Sequence, residues 1–314
     1  MLHAFSGIAT IFLIGLLGYL LARGRWVGPE IKFHLPRFVT LVVLPPYLLR
    51  NMTTSLEREQ LIDLLAGIGI PFMSIFGTFL LAVLLSRILK VAPLRKGIFQ
   101  AAFATSNTML IGLPINIALF GEASIPYVLL YYFGNTVFFW TIGSYIISHS
   151  GERATVRMFS RQTLKQIFSP PLLGFLCGLL LVYFEIRLPD FLDKTCKYVG
   201  DMAVALGTMY VGMMIEETDL KKSTLDRDTL VVFLGRFIAA PLSILLICWV
   251  IPQQPLMRNV LLIQSSLPVM LNVTILAAFY KADVPFAAKL TSLSTVLSLA
   301  TIPLYMFLIT AFLS

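Results

Sequence analysis

The chain has 314 residues, 58% of them apolar and only 13% charged, and its mean hydropathy is +0.86. Soluble proteins average about 25% charged residues, so this composition excludes a water-soluble globule and predicts an all-α polytopic membrane protein. The net charge of +8 is spread between apolar runs instead of gathered in one patch, which excludes a nucleic-acid partner and reads as a topology signal.

Ten membrane spans are predicted, at 5–22, 35–53, 64–86, 97–120, 124–148, 167–185, 195–215, 229–250, 258–280 and 285–312. Each is near the ~20 residues that a bilayer requires. The first runs into Arg23 and Arg25 with no small-residue cleavage site, so it is expected to be a retained helix. Span 4 is interrupted by Ser106–Pro114, SNTMLIGLP, where Pro114 cannot donate an N–H and Gly112 weakens the same turn. Asn107 and Asn116 supply amides at about that depth. The longest polar stretch, Gly151–Lys165, falls at the midpoint. It divides the chain into a first five-span repeat at 1–149, a cytoplasmic linker at 150–165 and a second repeat at 166–314. Span 8 carries Arg236 well inside the apolar run. Span 9 is interrupted by Ser265–Asn272, SSLPVMLN, with Pro268 as breaker and Ser265, Ser266, Asn272 and Thr274 as polar groups. Span 10 carries Lys289 one turn in, near enough to the surface to snorkel.

Between spans, sixteen Lys and Arg side chains fall on one face and six on the other. The positive-inside rule puts the first group, and the central linker, in the cytoplasm and both termini outside the cell membrane. The halves also echo each other. Pro126 and Pro285, and Thr136-Val137 and Thr295-Val296, each stand 159 residues apart. Five spans per half is an odd number, so the second half enters from the opposite face, giving an inverted repeat. Paired broken spans in matching positions are the best sequence pointer to a transporter's binding site, because bare backbone in lipid is tolerated only where protein or a cavity covers it. The amides past Pro114 and Pro268 are expected to favour an anion. The candidate substrate contacts are Asn107, Gly112, Pro114, Asn116, Ser265, Ser266, Pro268 and Asn272.

SNTMLIGLPINIALFGE, SSLPVMLNVTILAAFYKAD and VGDMAVALGTMYVGMMI together resemble the span-4, span-9 and span-7 signatures of the auxin efflux carrier family. The resemblance runs the length of the chain. Met109 and Leu110 stand where that family usually has Gly-Phe, and span 7 has Val204 or Ala205 in place of a proline. The resemblance implies ten helices in two inverted repeats with helices 4 and 9 crossing at their breaks. It further implies a dimerising scaffold of helices 1, 2, 6 and 7, and a transport domain of helices 3–5 and 8–10 that moves as an elevator. Family members carry small organic anions, malonate- and malate-like or auxin-like.

Arg236 is expected either to pair with Glu216 or Glu217 or to face the substrate path, in a structural or gating role. Asp283 is expected to stabilise the start of span 10. Cys177, Cys196 and Cys248 have no metal-ligand spacing, and His3, His34 and His149 sit near span ends. No cofactor or metal is expected, and coupling to H⁺ or Na⁺ stays open. No catalytic motif or phosphate-cradling loop occurs, so the chain is expected not to be an enzyme or an ATP-driven pump. Three functions follow in order: a secondary transporter of small organic anions; a sodium-coupled symporter of the bile-acid type; a membrane sensor of a metabolite or lipid. The expected partners are the anion, membrane lipids and a second copy of the chain.

Overall fold

The computed structural model describes residues 2–152, 161–217 and 225–312. Among these the secondary structure is helical, with one isolated backbone bridge between Ser106 and Val269. In chain order the helices are α1 (Leu2–Arg23), α2 (Pro29–Phe38), α3 (Leu44–Ser55), α4 (Arg58–Ala66), α5 (Gly69–Ile88), α6 (Pro93–Ala104), α7 (Leu113–Phe120), α8 (Ile125–Phe138) and α9 (Ser144–Ser150). They continue as α10 (Arg161–Ile167), α11 (Pro170–Tyr183), α12 (Asp190–Gly200), α13 (Met202–Glu217), α14 (Arg227–Leu234), α15 (Ala240–Val250), α16 (Pro255–Ser265), α17 (Asn272–Tyr280) and α18 (Val284–Phe312). Among the described residues, five helical runs are long and apolar enough to cross a membrane: Gly69–Ile88, Glu122–Ser150, Asp190–Glu216, Arg227–Val250 and Val284–Phe312.

Local chemistry explains where the helices start. Proline opens α2, α6, α11 and α16, where its missing N–H costs nothing and its fixed φ suits the first turn. Asp226 caps α14 by accepting from the Thr229 N–H, and Asp283 caps α18 by accepting from the Phe286 N–H, as the sequence predicted for Asp283. Arg58 and Glu59, both exposed, open α4 between the spans predicted at 35–53 and 64–86.

Proline acts differently inside the spans. Three π turns, Val39–Val43, Thr108–Gly112 and Gly235–Ala239, are each followed two residues later by a proline: Pro45, Pro114 and Pro241. A proline removes one i→i−4 bond and crowds the carbonyl it would have used, and a wider turn relieves that crowding without ending the helix. Pro114 was expected to break span 4. It sits in the first turn of α7, and the break lies earlier, at Thr105–Asn107.

The chain forms two compact units. The first comprises Met1–Gly67, Met109–Leu130 and Phe168–Glu217. In it α1 packs along α13 and α7, and α3 packs along α11 and α12. A Cβ on Gly212 would overlap the carbonyl oxygen of Gly15, so α1 and α13 touch backbone to backbone. The second unit comprises Ile68–Thr108, Tyr131–Ile167 and Thr218–Ser314. Its core includes Phe99, Phe103, Phe139, Phe233, Phe237 and Phe286. Both units draw on both halves of the sequence.

Candidate functional site

Both helix breaks meet within the second unit. α6 stops at Ala104 and leaves Thr105 extended; α16 stops at Ser265 and the chain does not resume as α17 until Asn272. The two loose segments bridge antiparallel at Ser106 and Val269, and the Asn107 N–H donates to the Pro268 carbonyl at 2.9 Å. Backbone freed from a helix must find partners elsewhere when buried. Here side chains from the next helix supply them. Asn135 accepts from the Ser106 N–H at 3.1 Å and donates to the Ser106 carbonyl at 3.0 Å. Ser294 accepts from the Val269 N–H at 3.0 Å. The Ser106 hydroxyl donates to the Gln264 carbonyl at 3.0 Å, and Ser106, Gln264, Asn135 and Ser294 are all fully buried.

Arg236 closes the carbonyl ends. Its side chain is 0% exposed. Nη1 donates to the Phe103 carbonyl at 3.1 Å, Nη2 to the Ser265 carbonyl at 2.5 Å and Nε to the Leu267 carbonyl at 3.3 Å. The last four carbonyls of any helix lack an intrahelical partner and carry partial negative charge. One guanidinium therefore serves the ends of two half-helices at once, which gives a buried cation compensation without a carboxylate. The π turn at Gly235–Ala239 lies at this point of the helix, and Gly235 packs against the Phe103 ring so closely that a Cβ would overlap it. Of the alternatives offered for Arg236, pairing with Glu216 is corrected, since Glu216 lies 3.4 Å from Lys32, and the side chain of Glu217 lies outside the described residues. Arg236 forms no ion pair among the described residues, because backbone carbonyls occupy its donors.

The other sequence-predicted residues divide between the units. Asn107, 7% exposed, and Asn272, half-buried, flank the crossing. Neither side-chain amide hydrogen-bonds another of the described residues. Ser265 and Ser266 are fully buried and donate their hydroxyls to the Leu262 and Ile263 carbonyls of their own helix, at 2.8 Å and 2.9 Å. Gly112, Pro114 and Asn116 belong to the first unit. There Asn116 donates to the Gly112 carbonyl at 2.7 Å, and its own amide oxygen is buried without a partner among the described residues. Of the amides expected to favour an anion, those past Pro114 lie within α7. Past Pro268 the N–H of Val269 is held by Ser294 and those of Val273 and Thr274 donate to Met270 and Leu271, while those of Met270, Leu271 and Asn272 form no hydrogen bond among the described residues.

Lys289, expected one turn into span 10 as a snorkelling side chain and candidate charge partner, donates to Asp226 at 2.9 Å. Arg95 joins the same group, 2.6 Å from Asp283 and 3.1 Å from Asp226. The cluster ties together the starts of α6, α14 and α18. Burial works against the Asp226 charge, but hydrogen bonds from Thr229 and Lys289 outweigh it and hold this carboxyl well below the usual range.

Asn135 and Ser294 escaped the sequence reading. They stand 159 residues apart, immediately before the Thr136 and Thr295 pair that marked the repeat. The repeat register was the signal that singles them out.

A family profile described as "Membrane transport protein" matches residues 3–306. The chain is 23% identical over 303 residues to an uncharacterized transporter of Methanocaldococcus jannaschii, covering 95% of this chain and 96% of that protein. It is 28% identical over 303 residues to an uncharacterized transporter of Methanothermobacter thermautotrophicus, with the same coverage of 95% and 96%.

Proposed function

The chain belongs to the membrane transport protein family, that of the auxin efflux carriers, and from this premise we propose that it is a secondary transporter of small organic anions. The observation that carries the choice of an anion is Arg236. A buried guanidinium with no acidic partner among the described residues makes the crossing electropositive. Asn107 and Asn272 add side-chain amides free to donate to a carboxylate. A carboxylate accepts from such donors and gains from the positive charge, whereas an organic cation would be repelled.

In this reading ten spans form two inverted repeats, with spans 1, 2, 6 and 7 as a scaffold and spans 3–5 and 8–10 as a transport domain that works as an elevator. Asn135 and Ser294 support the repeat, since each braces the break just before its own helix. The charge bias between spans supports a cell-membrane placement with both termini outside. Dimerisation through the scaffold is part of the same proposal. With no site for ATP in the sequence, the driving force is the gradient or the potential. Export of a monoanion from a negative interior gains ~2.3 kcal/mol per 100 mV.

A thermal-shift screen of mono- and dicarboxylates on the purified full-length protein tests the substrate class. A ligand held only by the folded state raises the apparent Tm in proportion to the logarithm of its concentration. At least one carboxylate is expected to do so, and to do so less in Asn107→Ala. A panel in which amines shift Tm and carboxylates do not overturns the anion reading.

A further inference from the structure

We infer that Arg236 stands in the place of a coupling cation, so that the carrier moves its anion without sodium. The inference rests on reading the crossing as the transport site. In transporters built from broken helices, the carbonyls at half-helix C-terminal ends and in the unwound backbone are where coupling cations are held. Here the corresponding oxygens are those of Phe103 at the end of α6, Ser265 at the end of α16 and Leu267 in the unwound segment. All three already accept from one guanidinium, at 3.1, 2.5 and 3.3 Å. An inorganic cation at these carbonyls would have to displace Arg236, and beside it would meet like-charge repulsion in a buried site.

The ligands that would outbid the arginine are also missing. No Asp or Glu occurs anywhere in 97–120 or 255–280, the two segments that cross. The arginine keeps its charge at any physiological pH, so the positive charge is a permanent part of the moving unit instead of a passenger loaded on each cycle. The loaded site is then close to neutral with a monocarboxylate and positive when empty. The geometry around Arg236 fits this role. Gly235 allows the helix to approach Phe103, and a π turn, a feature frequent at functional sites, places the side chain between two helix ends.

The test uses sodium alone, on the full-length protein, with no organic anion present. Thermal unfolding is followed while NaCl replaces N-methylglucamine chloride at constant ionic strength. The wild type is expected to show no Na⁺-dependent shift. Arg236→Gln keeps much of the side-chain volume but removes the charge and most of the donors, freeing carbonyls for an ion. It is expected to gain a saturable, Na⁺-selective rise in Tm on the order of 3 °C. A saturable Na⁺-selective rise in the wild type overturns the inference, and so does a folded Arg236→Gln protein indifferent to Na⁺. If the variant does not fold, the wild-type titration decides. Because no carboxylate is present, failure here leaves the anion reading standing, and failure of the carboxylate screen leaves the sodium result standing.

Discussion

Asn135→Leu removes the brace of the first break while keeping the side chain's size. The wild-type amide satisfies both backbone groups of Ser106, at 3.1 Å and 3.0 Å, in a fully buried site. Leucine leaves the Ser106 N–H without a partner and removes one of two donors from its carbonyl, which keeps the Thr108 N–H at 3.0 Å. An unsatisfied buried polar group costs about 1–3 kcal/mol and a lost hydrogen bond about 0.5–1.5 kcal/mol, so the change should cost about 1.5–4.5 kcal/mol. At roughly 2 °C per kcal/mol, the apparent Tm should fall by roughly 3–9 °C. Ser294→Ala removes a single bond, to the Val269 N–H, and should cost about two-thirds as much. Thermal unfolding of both variants in the same detergent measures the ratio. Hydrogen exchange at the Ser106 amide provides a local check, with protection lost in Asn135→Leu and kept in Ser294→Ala. The reasoning fails if Asn135→Leu is neutral, or if it costs less than Ser294→Ala.

Two further perturbations probe different parts of the fold. Asp226→Asn should lower Tm at neutral pH, because it removes the partner of Arg95 and Lys289; with about a third of the carboxylate exposed, solvent screening limits the loss to about 1 kcal/mol. The folded-state Asp226 pKa is depressed, so its contribution is present above the unfolded value near 3.9 and disappears as pH falls below it. The gap between wild type and variant should therefore close on acidification below about pH 4, and a gap that widens there contradicts the assignment. Gly212→Ala should destabilise the α1–α13 packing by about 1–3 kcal/mol or more, because its methyl meets the Gly15 carbonyl and backbone cannot rotate away. Gly77→Ala, at a position where a Cβ meets nothing within 4 Å, is the control and should be close to neutral.

Much of the helical plan was legible because apolar run length reports helices directly in a chain with so little charge. Span 5, predicted at 124–148, corresponds to a continuous helical run from Glu122 to Ser150, and span 10, predicted at 285–312, to α18 from Val284. The depth of the first break was less legible. Proline was the obvious suspect in span 4, yet Pro114 is accommodated by a π turn, and the chain opens at Thr105–Asn107 because Asn135 and the facing segment at Val269 supply better partners. Those partners are distant in sequence, so no local pattern at Ser106 announces them. In span 9, where Pro268 does lie in the break, the local reading was sufficient. Arg236 was recognisable as anomalous, but its partners were not. Carboxylates look like the natural partners of arginine in a sequence, and backbone carbonyls at helix ends carry no sequence signature.

Flux through the crossing tests the central claim most directly. The full-length protein is reconstituted into sealed proteoliposomes, and uptake of a radiolabelled carboxylate found to raise Tm is followed under an imposed membrane potential. The wild type should accumulate the carboxylate on the positive side, and both Asn107→Ala and Asn272→Ala should lose at least about tenfold in initial rate, the equivalent of one lost hydrogen bond to a charged group at 1.4 kcal/mol or more, while remaining folded. Undiminished flux in both variants contradicts the assignment of the crossing as the path of the anion.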